Sequence, residues 1–318
     1  MSPPGAECFP VANLSQKPLL FSPVSADLPD HYRASLIAEN FSLTHFDGLS
    51  VPCTLRLPRQ KSSGRLVIIA PGFLGFKDWG FFPFLAERLC LAGFATLAFS
   101  HALCSVQDNP LEITDAQAFS KNSTSQELKD WDVVLDSVLL GRLPHADKTR
   151  LNGFGIVGHS RGGSYGILMA SRVPQVQSVV AWGVIQTFQR YDAETQRQWR
   201  TAGTWEVAQD RSGKTLSLEL QALDALERNH DRLDVLRAIR GVNIPVLFVH
   251  GRDDKRVKLA EAQALWKCAN PYLSRLHIIE SAGHTFRTQH PLDKPSQPLL
   301  EAVEETVRWF QRTLPVAR

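Results

Sequence analysis

A chain of 318 residues with 43% hydrophobic side chains is long enough for one large mixed domain or two small ones, and its apolar share supports a substantial core. A net charge of +3 with the signs interspersed gives no footprint for nucleic acid or an anionic membrane as partner.

The first residues, 1–40, are rich in Pro and Ser and are expected to form an irregular N-terminal arm. Residues 41–46 and 51–57, separated by Asp47-Gly48, predict a β-hairpin. From there apolar runs alternate with helical spacing. That alternation implies an α/β fold with a mostly parallel central sheet, right-handed crossovers and flanking helices. Leu66-Val67-Ile68-Ile69-Ala70 reads as a buried strand, followed by the loop Pro71-Gly72-Phe73-Leu74-Gly75. Phe84, Leu85 and Leu89 predict a helix stopped by Gly93, and residues 94–99 the next strand. Thr124 and Glu127 have the spacing of a capping box, with Leu128, Trp131, Leu135 and Val138 on one helix face.

Residues 151–163 carry the strongest signal: Ile156-Val157 runs straight into Gly158-His159-Ser160-Arg161-Gly162, and then into a small apolar helix over 162–170. A serine on a sharp strand-to-helix turn has its Oγ pushed out above the sheet. A side chain at Gly158 or Gly162 would crowd that turn. The backbone N–H of Arg161, opening the helix, can face a developing negative charge. The plainer reading of Ser160 is an ordinary helix N-cap. The Arg161 side chain is assigned no role.

Residues 178–182 predict a further strand, ending at Trp182. The stretch 184–240 then breaks the alternation: it is polar, carries Tyr191, Trp199 and Trp205, and has no clear apolar strand. Its later half, 216–239, has helical spacing through Leu220, Leu223, Leu226 and Leu233. It is expected to be a helical cap or lid, with surface decoration as the alternative. The expected organisation is therefore an arm at 1–40, a core from 41–183 and 241–318, and a cap at 184–240. Phe73, Leu74, His159, Trp182 and Trp205 are candidates for lining a substrate pocket.

A serine nucleophile needs a base, and the base needs an acid to orient it. The strand 244–250 ends at Gly251-Arg252-Asp253-Asp254, and the strand 276–280 is followed by Ser281-Ala282-Gly283-His284. Both groups lie at carboxyl ends of strands, the rim where open α/β sheets bind ligands. Asp253 and Asp254 compete as the acid. His284 competes with His250 and His277, which lie in apolar strands, and with His290 in a Pro-rich loop. The basic run Lys255-Arg256-x-Lys258 near the acid either attracts an anionic substrate or forms a solvated helix face. Leu299, Leu300, Val303, Val307 and Phe310 predict a C-terminal helix covering the sheet.

These motifs resemble the serine hydrolases of the α/β-hydrolase superfamily, in the branch of dienelactone-hydrolase-like, feruloyl-esterase-like and prolyl-oligopeptidase-like enzymes. The resemblance covers the chain from about Phe41 to the C-terminal helix. It implies a Gly-x-x-Asp acid, which selects Asp254, and a histidine after glycine, which selects His284. It implies backbone oxyanion donors at Phe73 and Arg161, although the usual His-Gly of that loop is Pro71-Gly72 here. The implied activity is carboxylic-ester hydrolysis through an acyl-enzyme on Ser160, with a small-molecule ester as partner and no metal or organic cofactor. A peptidase or amidase of the oligopeptidase type is the alternative reading, and a non-catalytic ligand-binding protein on the same fold a third.

Five cysteines (Cys8, Cys53, Cys90, Cys104 and Cys268) are odd in number and scattered, without metal-type spacing, which fits a reducing compartment. Met1-Ser2-Pro3-Pro4-Gly5 opens no signal peptide, and no apolar run is long enough to span a bilayer. A cytoplasmic location is expected.

Overall fold

The computed structural model describes residues 36–59, 64–104, 115–146, 153–209 and 215–314. Most of the expected arm, and Cys8 with it, lies outside the described residues. The hairpin is β1 (Leu36–Thr44) and β2 (Ser50–Pro58), paired antiparallel. β1 starts five residues ahead of the expected strand, because 36–40 continue the ladder against Thr54 to Pro58.

Next come β3 (Leu66–Ala70), α1 (Phe82–Leu91), β4 (Ala95–Phe99), the short α2 (Ala116–Ser120) and α3 (Thr124–Leu139). β5 (Phe154–His159) leads into α4 (Arg161–Ala170), and β6 (Val176–Trp182) follows. Five-residue and six-residue strands buried on both faces, such as β3 and β5, read as unbroken apolar runs because helices cover each side. α3 is capped by Ser123, whose side chain accepts from the Gln126 N–H. The cap is thus Ser123, one residue ahead of the expected Thr124, and the reciprocal bond of a capping box is not made: the Ser123 N–H donates to Asn122 Oδ1 and the Gln126 side chain to Asp130, both at 3.0 Å. That shift sets Glu127 on the buried face of the helix.

The stretch after β6 departs from the expectation of a purely helical insertion. α5 (Ala193–Ala202) is followed by an antiparallel pair, β7 (Thr204–Gln209) and β8 (Thr215–Glu219), and only then by α6 (Leu220–Arg228) and α7 (Val235–Gly241). Leu216 and Leu218 alternate with Thr215, Ser217 and Glu219, and this period of two buries the leucines of β8. Leu216 and Leu220 also stand four apart, so the same residues fit a helical template read without partners. β9 (Val246–Gly251), α8 (Leu259–Cys268), β10 (Ser274–Ile279) and α9 (Gln297–Thr313) complete the chain.

The main sheet has eight strands in the order β1-β2-β4-β3-β5-β6-β9-β10. β2 runs antiparallel to β1 and β4, and every other neighbouring pair is parallel. Alternate residues of the inner strands feed two cores. Val67, Ile69, Val157, Val180, Leu247 and Val249 pack under α1 and α9, on the face with Leu85, Leu89, Val303 and Phe310. Leu66, Ile68, Ile156, Val179, Val246 and Phe248 pack on the opposite face, with α3, α4, α7 and α8. The parallel strands therefore point their carboxyl ends, and the loops that follow, at one rim.

Among the described residues, Cys53, Cys90 and Cys268 are free thiols. No helix among them is long and apolar enough to cross a membrane.

Candidate active site

Ser160 sits between β5 and α4 with φ 54° and ψ −119°, a backbone conformation that is costly for a residue with a side chain. Its N–H is held by the Trp182 carbonyl at 2.7 Å, at the end of the neighbouring strand. The turn closes only because its flanks lack side chains. A Cβ on Gly158 would stand 2.3 Å from the Gly162 backbone, and one on Gly162 would stand 2.4 Å from the Pro71 oxygen. The second contact also presses the loop after β3 against the turn. That loop folds back through Gly75 N–H to Gly72 O at 3.0 Å, and Leu74 takes a left-handed φ of 63°.

Asp254 and His284 leave adjacent strand ends, β9 and β10. Their loops are tied by Arg252 N–H to Ile279 O and Asp253 N–H to Ala282 O, both 2.9 Å. The His284 Nδ1–H donates to Asp254 Oδ2 at 2.7 Å. Asp254 Oδ1 accepts from the backbone N–H groups of Arg256 and Val257, each at 2.9 Å. Burial alone would raise the Asp254 pKa, but hydrogen bonds from His250 and His284 and the backbone bond from Val257 outweigh it, and the carboxyl is held well below its usual range. Asp253 is exposed, and of the two acids it is Asp254 that meets His284.

The other histidines have separate tasks. His250 donates from Nε2 to the Val257 carbonyl at 2.9 Å, beneath Asp254. His277 pairs with Glu301 at 2.7 Å. His290 accepts at Nδ1 from the Gly80 N–H and lies flat against Trp79. His159, beside Ser160, donates from Nε2 to the His284 carbonyl at 2.9 Å. Burial, reinforced by the nearby His284, pushes its pKa down to about 3, so its ring stays neutral.

Ser160 and His284 open onto one cavity of about 600 Å³. Of the residues named from the sequence, Phe73, Leu74, His159 and Arg161 line it. Trp182 and Trp205 do not. Trp182 is wholly buried under α9, where its indole N–H donates to Thr306 at 2.9 Å, because its side chain shares the face of Val180. Trp205 packs partly buried against the opposite core. The walls contain residues the sequence did not single out, Ile185, Phe188, Arg190 and Val207 from the stretch between β6 and β9, and also Arg256 of the basic run at the acid loop.

Nor is Arg161 idle. Its guanidinium pairs with buried Glu127 at 2.9 Å and lies 4.4 Å over the Phe73 ring. Glu127 also accepts from Tyr165 Oη at 2.8 Å and Asn122 Nδ2 at 3.1 Å. The available signal was an acid on the apolar stripe of a helix, with Trp131 four residues on. Among the described residues no group of His, Cys, Asp and Glu could hold a metal ion.

A mostly parallel α/β sheet whose carboxyl rim gathers a serine elbow, a histidine and a buried aspartate around one cavity has the architecture of a hydrolase. Residues 66–299 match the model of the Alpha/beta hydrolase family, and the chain belongs to that family. Among solved structures it is similar to Est1E of Butyrivibrio proteoclasticus with ferulic acid bound, at 18% identity and TM-score 0.64, covering 86% of this chain and 99% of that one. It is similar to the esterase domain of a Rhodothermus marinus protein at 16% identity and TM-score 0.57, over 88% of this chain and 100% of that one. Dienelactone hydrolase of Anabaena variabilis is similar at 18% identity and TM-score 0.57, with the same coverage of 88% and 100%. No curated protein matches the chain.

Proposed function

We propose that the protein is a serine hydrolase that cleaves carboxylic esters. The observation that carries this reading is the 2.7 Å bond from His284 Nδ1–H to Asp254, on a histidine that shares a cavity with the strained Ser160. In this mechanism Ser160 Oγ attacks the carbonyl carbon while His284 Nε2 takes its proton, and Asp254 holds the ring in the tautomer that leaves Nε2 able to accept. The N–H groups of Phe73 and Arg161 carry the oxyanion. Arg161 opens α4, so its N–H has no acceptor within the helix. His284 then protonates the departing alcohol. Water, deprotonated by His284 in turn, attacks the acyl-enzyme and releases the acid, and the proton returns to Ser160. The stretch between β6 and β9 acts as the cap: Ile185, Phe188, Tyr191 and Val207 wall the cavity and exclude water from the acyl group.

Hydrolysis of p-nitrophenyl esters from acetate to decanoate, by wild type beside Ser160→Ala, tests the proposal. Activity is expected to fall by about 10⁶-fold in the variant, as loss of a triad serine does elsewhere. Labelling of Ser160 by a fluorophosphonate is the companion readout. A variant that keeps most of the activity would remove Ser160 from the mechanism.

A further inference from the structure

Two cavities meet at the proposed catalytic histidine. The cavity in front of Ser160 is walled by Phe73, Leu74, Phe82, Ile185 and Phe188 together with Arg161, Arg190 and Arg256. The second, about 550 Å³, is walled by Asp253, Lys255, Thr288, Gln289 and His290, and shares Trp79, Arg256, His284 and Thr285 with the first. Substrate therefore reaches two compartments, with His284 at their boundary. In the esterase reading His284 hands its proton to the leaving alcohol, which places that alcohol at this boundary.

The charge balance along these walls is uneven. The cavity at Ser160 is lined by Arg161, Arg190 and Arg256, with no acid among its lining residues. Arg161 is answered by Glu127 at 2.9 Å, and Arg190 by both oxygens of Glu261 at 2.9 and 3.2 Å. In the second cavity Lys255 offsets Asp253. Arg256 has no carboxylate partner among the described residues. Its backbone is nevertheless fixed on both sides: its N–H donates to Asp254 Oδ1 at 2.9 Å, and its carbonyl accepts from Arg190 Nη2 at 3.3 Å. An exposed guanidinium on a backbone so fixed, at the junction of two cavities, stands where it can meet an anion.

We propose that the esters cleaved here carry an anionic group on the alcohol side, paired with Arg256 where the two cavities meet; the inference rests on the esterase reading above. The test compares 4-acetoxybenzoate with its methyl ester, which differ by a charge on the leaving group. A second pair, mono-p-nitrophenyl glutarate and p-nitrophenyl butyrate, places the charge on the acyl side. Within each enzyme the ratio of kcat/KM, charged over neutral, is read, so the folded fraction of a variant cancels. In wild type the leaving-group ratio should exceed the acyl-side ratio and decline as salt is added. Arg256→Gln should lower the leaving-group ratio about tenfold, and Arg256→Lys should retain most of it.

An unchanged leaving-group ratio in Arg256→Gln, or an equal fall in both ratios, would overturn the inference while leaving the esterase intact. No turnover of any ester, together with no fluorophosphonate labelling of Ser160, would overturn the esterase reading and this inference with it.

Discussion

Replacing Glu127 by alanine takes the counter-charge from beneath the site. Its carboxylate is 1% exposed and accepts from Arg161, Tyr165 and Asn122. Burial alone would raise its pKa, but Arg161, His101 and the hydrogen bonds from Tyr165 and Asn122 outweigh that and lower it below the ordinary glutamate value of 4.5. The group is thus ionised in the folded protein. Glu127→Ala leaves a guanidinium whose side chain is 15% exposed facing a cavity, and two neutral donors without their acceptor. Breaking a buried pair from one side costs about 3–5 kcal/mol. The lower end applies here, about 3 kcal/mol, because Arg161 keeps the Phe73 ring and borders solvent in the cavity.

Urea unfolding at pH 7 measures the loss. Adding Arg161→Met removes the stranded charge, and the double variant should be more stable than the sum of the two single losses by about 1 kcal/mol or more. The sign of the pH dependence follows from the lowered pKa. The contribution of Glu127 is present above pH 4.5 and is lost as pH falls below it, so wild type and Glu127→Ala should converge in acid. A single-variant loss below about 1 kcal/mol, or strict additivity in the double variant, would refute a stabilising role for this pair.

Trp182→Phe removes the indole bond to Thr306 and should cost about 1–2 kcal/mol while leaving the ester chain-length profile unchanged. A shifted profile would put Trp182 back at the pocket. His159 is pushed down to about 3 when folded, so its neutral form contributes stability at neutral pH that is lost as pH falls from the ordinary histidine value of 6.5 toward 3. Between pH 6 and 5, before most carboxylates titrate, wild type should therefore lose about 1 kcal/mol per pH unit more than His159→Gln. Parallel stability curves for the two proteins would contradict a neutral buried His159.

Features with a local cause could be read in the sequence. The elbow at Ser160 depends on Gly158 and Gly162 and on the apolar run before them, all within a few residues. The sheet strands appear as apolar runs, and Asp254 and His284 stand just past two of them. What escaped depends on partners distant along the chain. The β7–β8 pair was hidden because Leu216, Leu218 and Leu220 satisfy a period of two and a spacing of four together, and only the partner strand decides. Trp182 was expected at the rim because it ends a strand, yet strand parity sends its ring to the α9 face. The role of the Arg161 side chain rests on Glu127, and the two meet only after α3 and α4 pack. Arg256 was legible as a basic residue near the acid, but its lack of a counter-ion emerges only from the pairs that Arg161 and Arg190 make.

The chain leaves the main sheet at Trp182 and rejoins it at Val246, and these two strands are neighbours: Val179 aligns with Val246, and the Gly183 N–H bonds to the Val249 carbonyl at 2.9 Å. Everything between is an excursion whose exit and return are already stitched together by the ladder. The entropy of closing such a loop grows only slowly with its length, by about 0.6 kcal/mol for each doubling. The closure term of a longer or shorter excursion is therefore small, and what the sheet would have to recover is the packing of Phe188, Leu223, Val235 and Ile239 in the core beneath it. Ser160, Asp254 and His284 all stand outside the excursion, whereas Ile185, Phe188, Arg190, Tyr191 and Val207 belong to it. Under the proposed function the three catalytic side chains thus stand apart, along the chain, from one wall of the cavity, so that this wall is exchangeable as a cassette while the chemistry stays put.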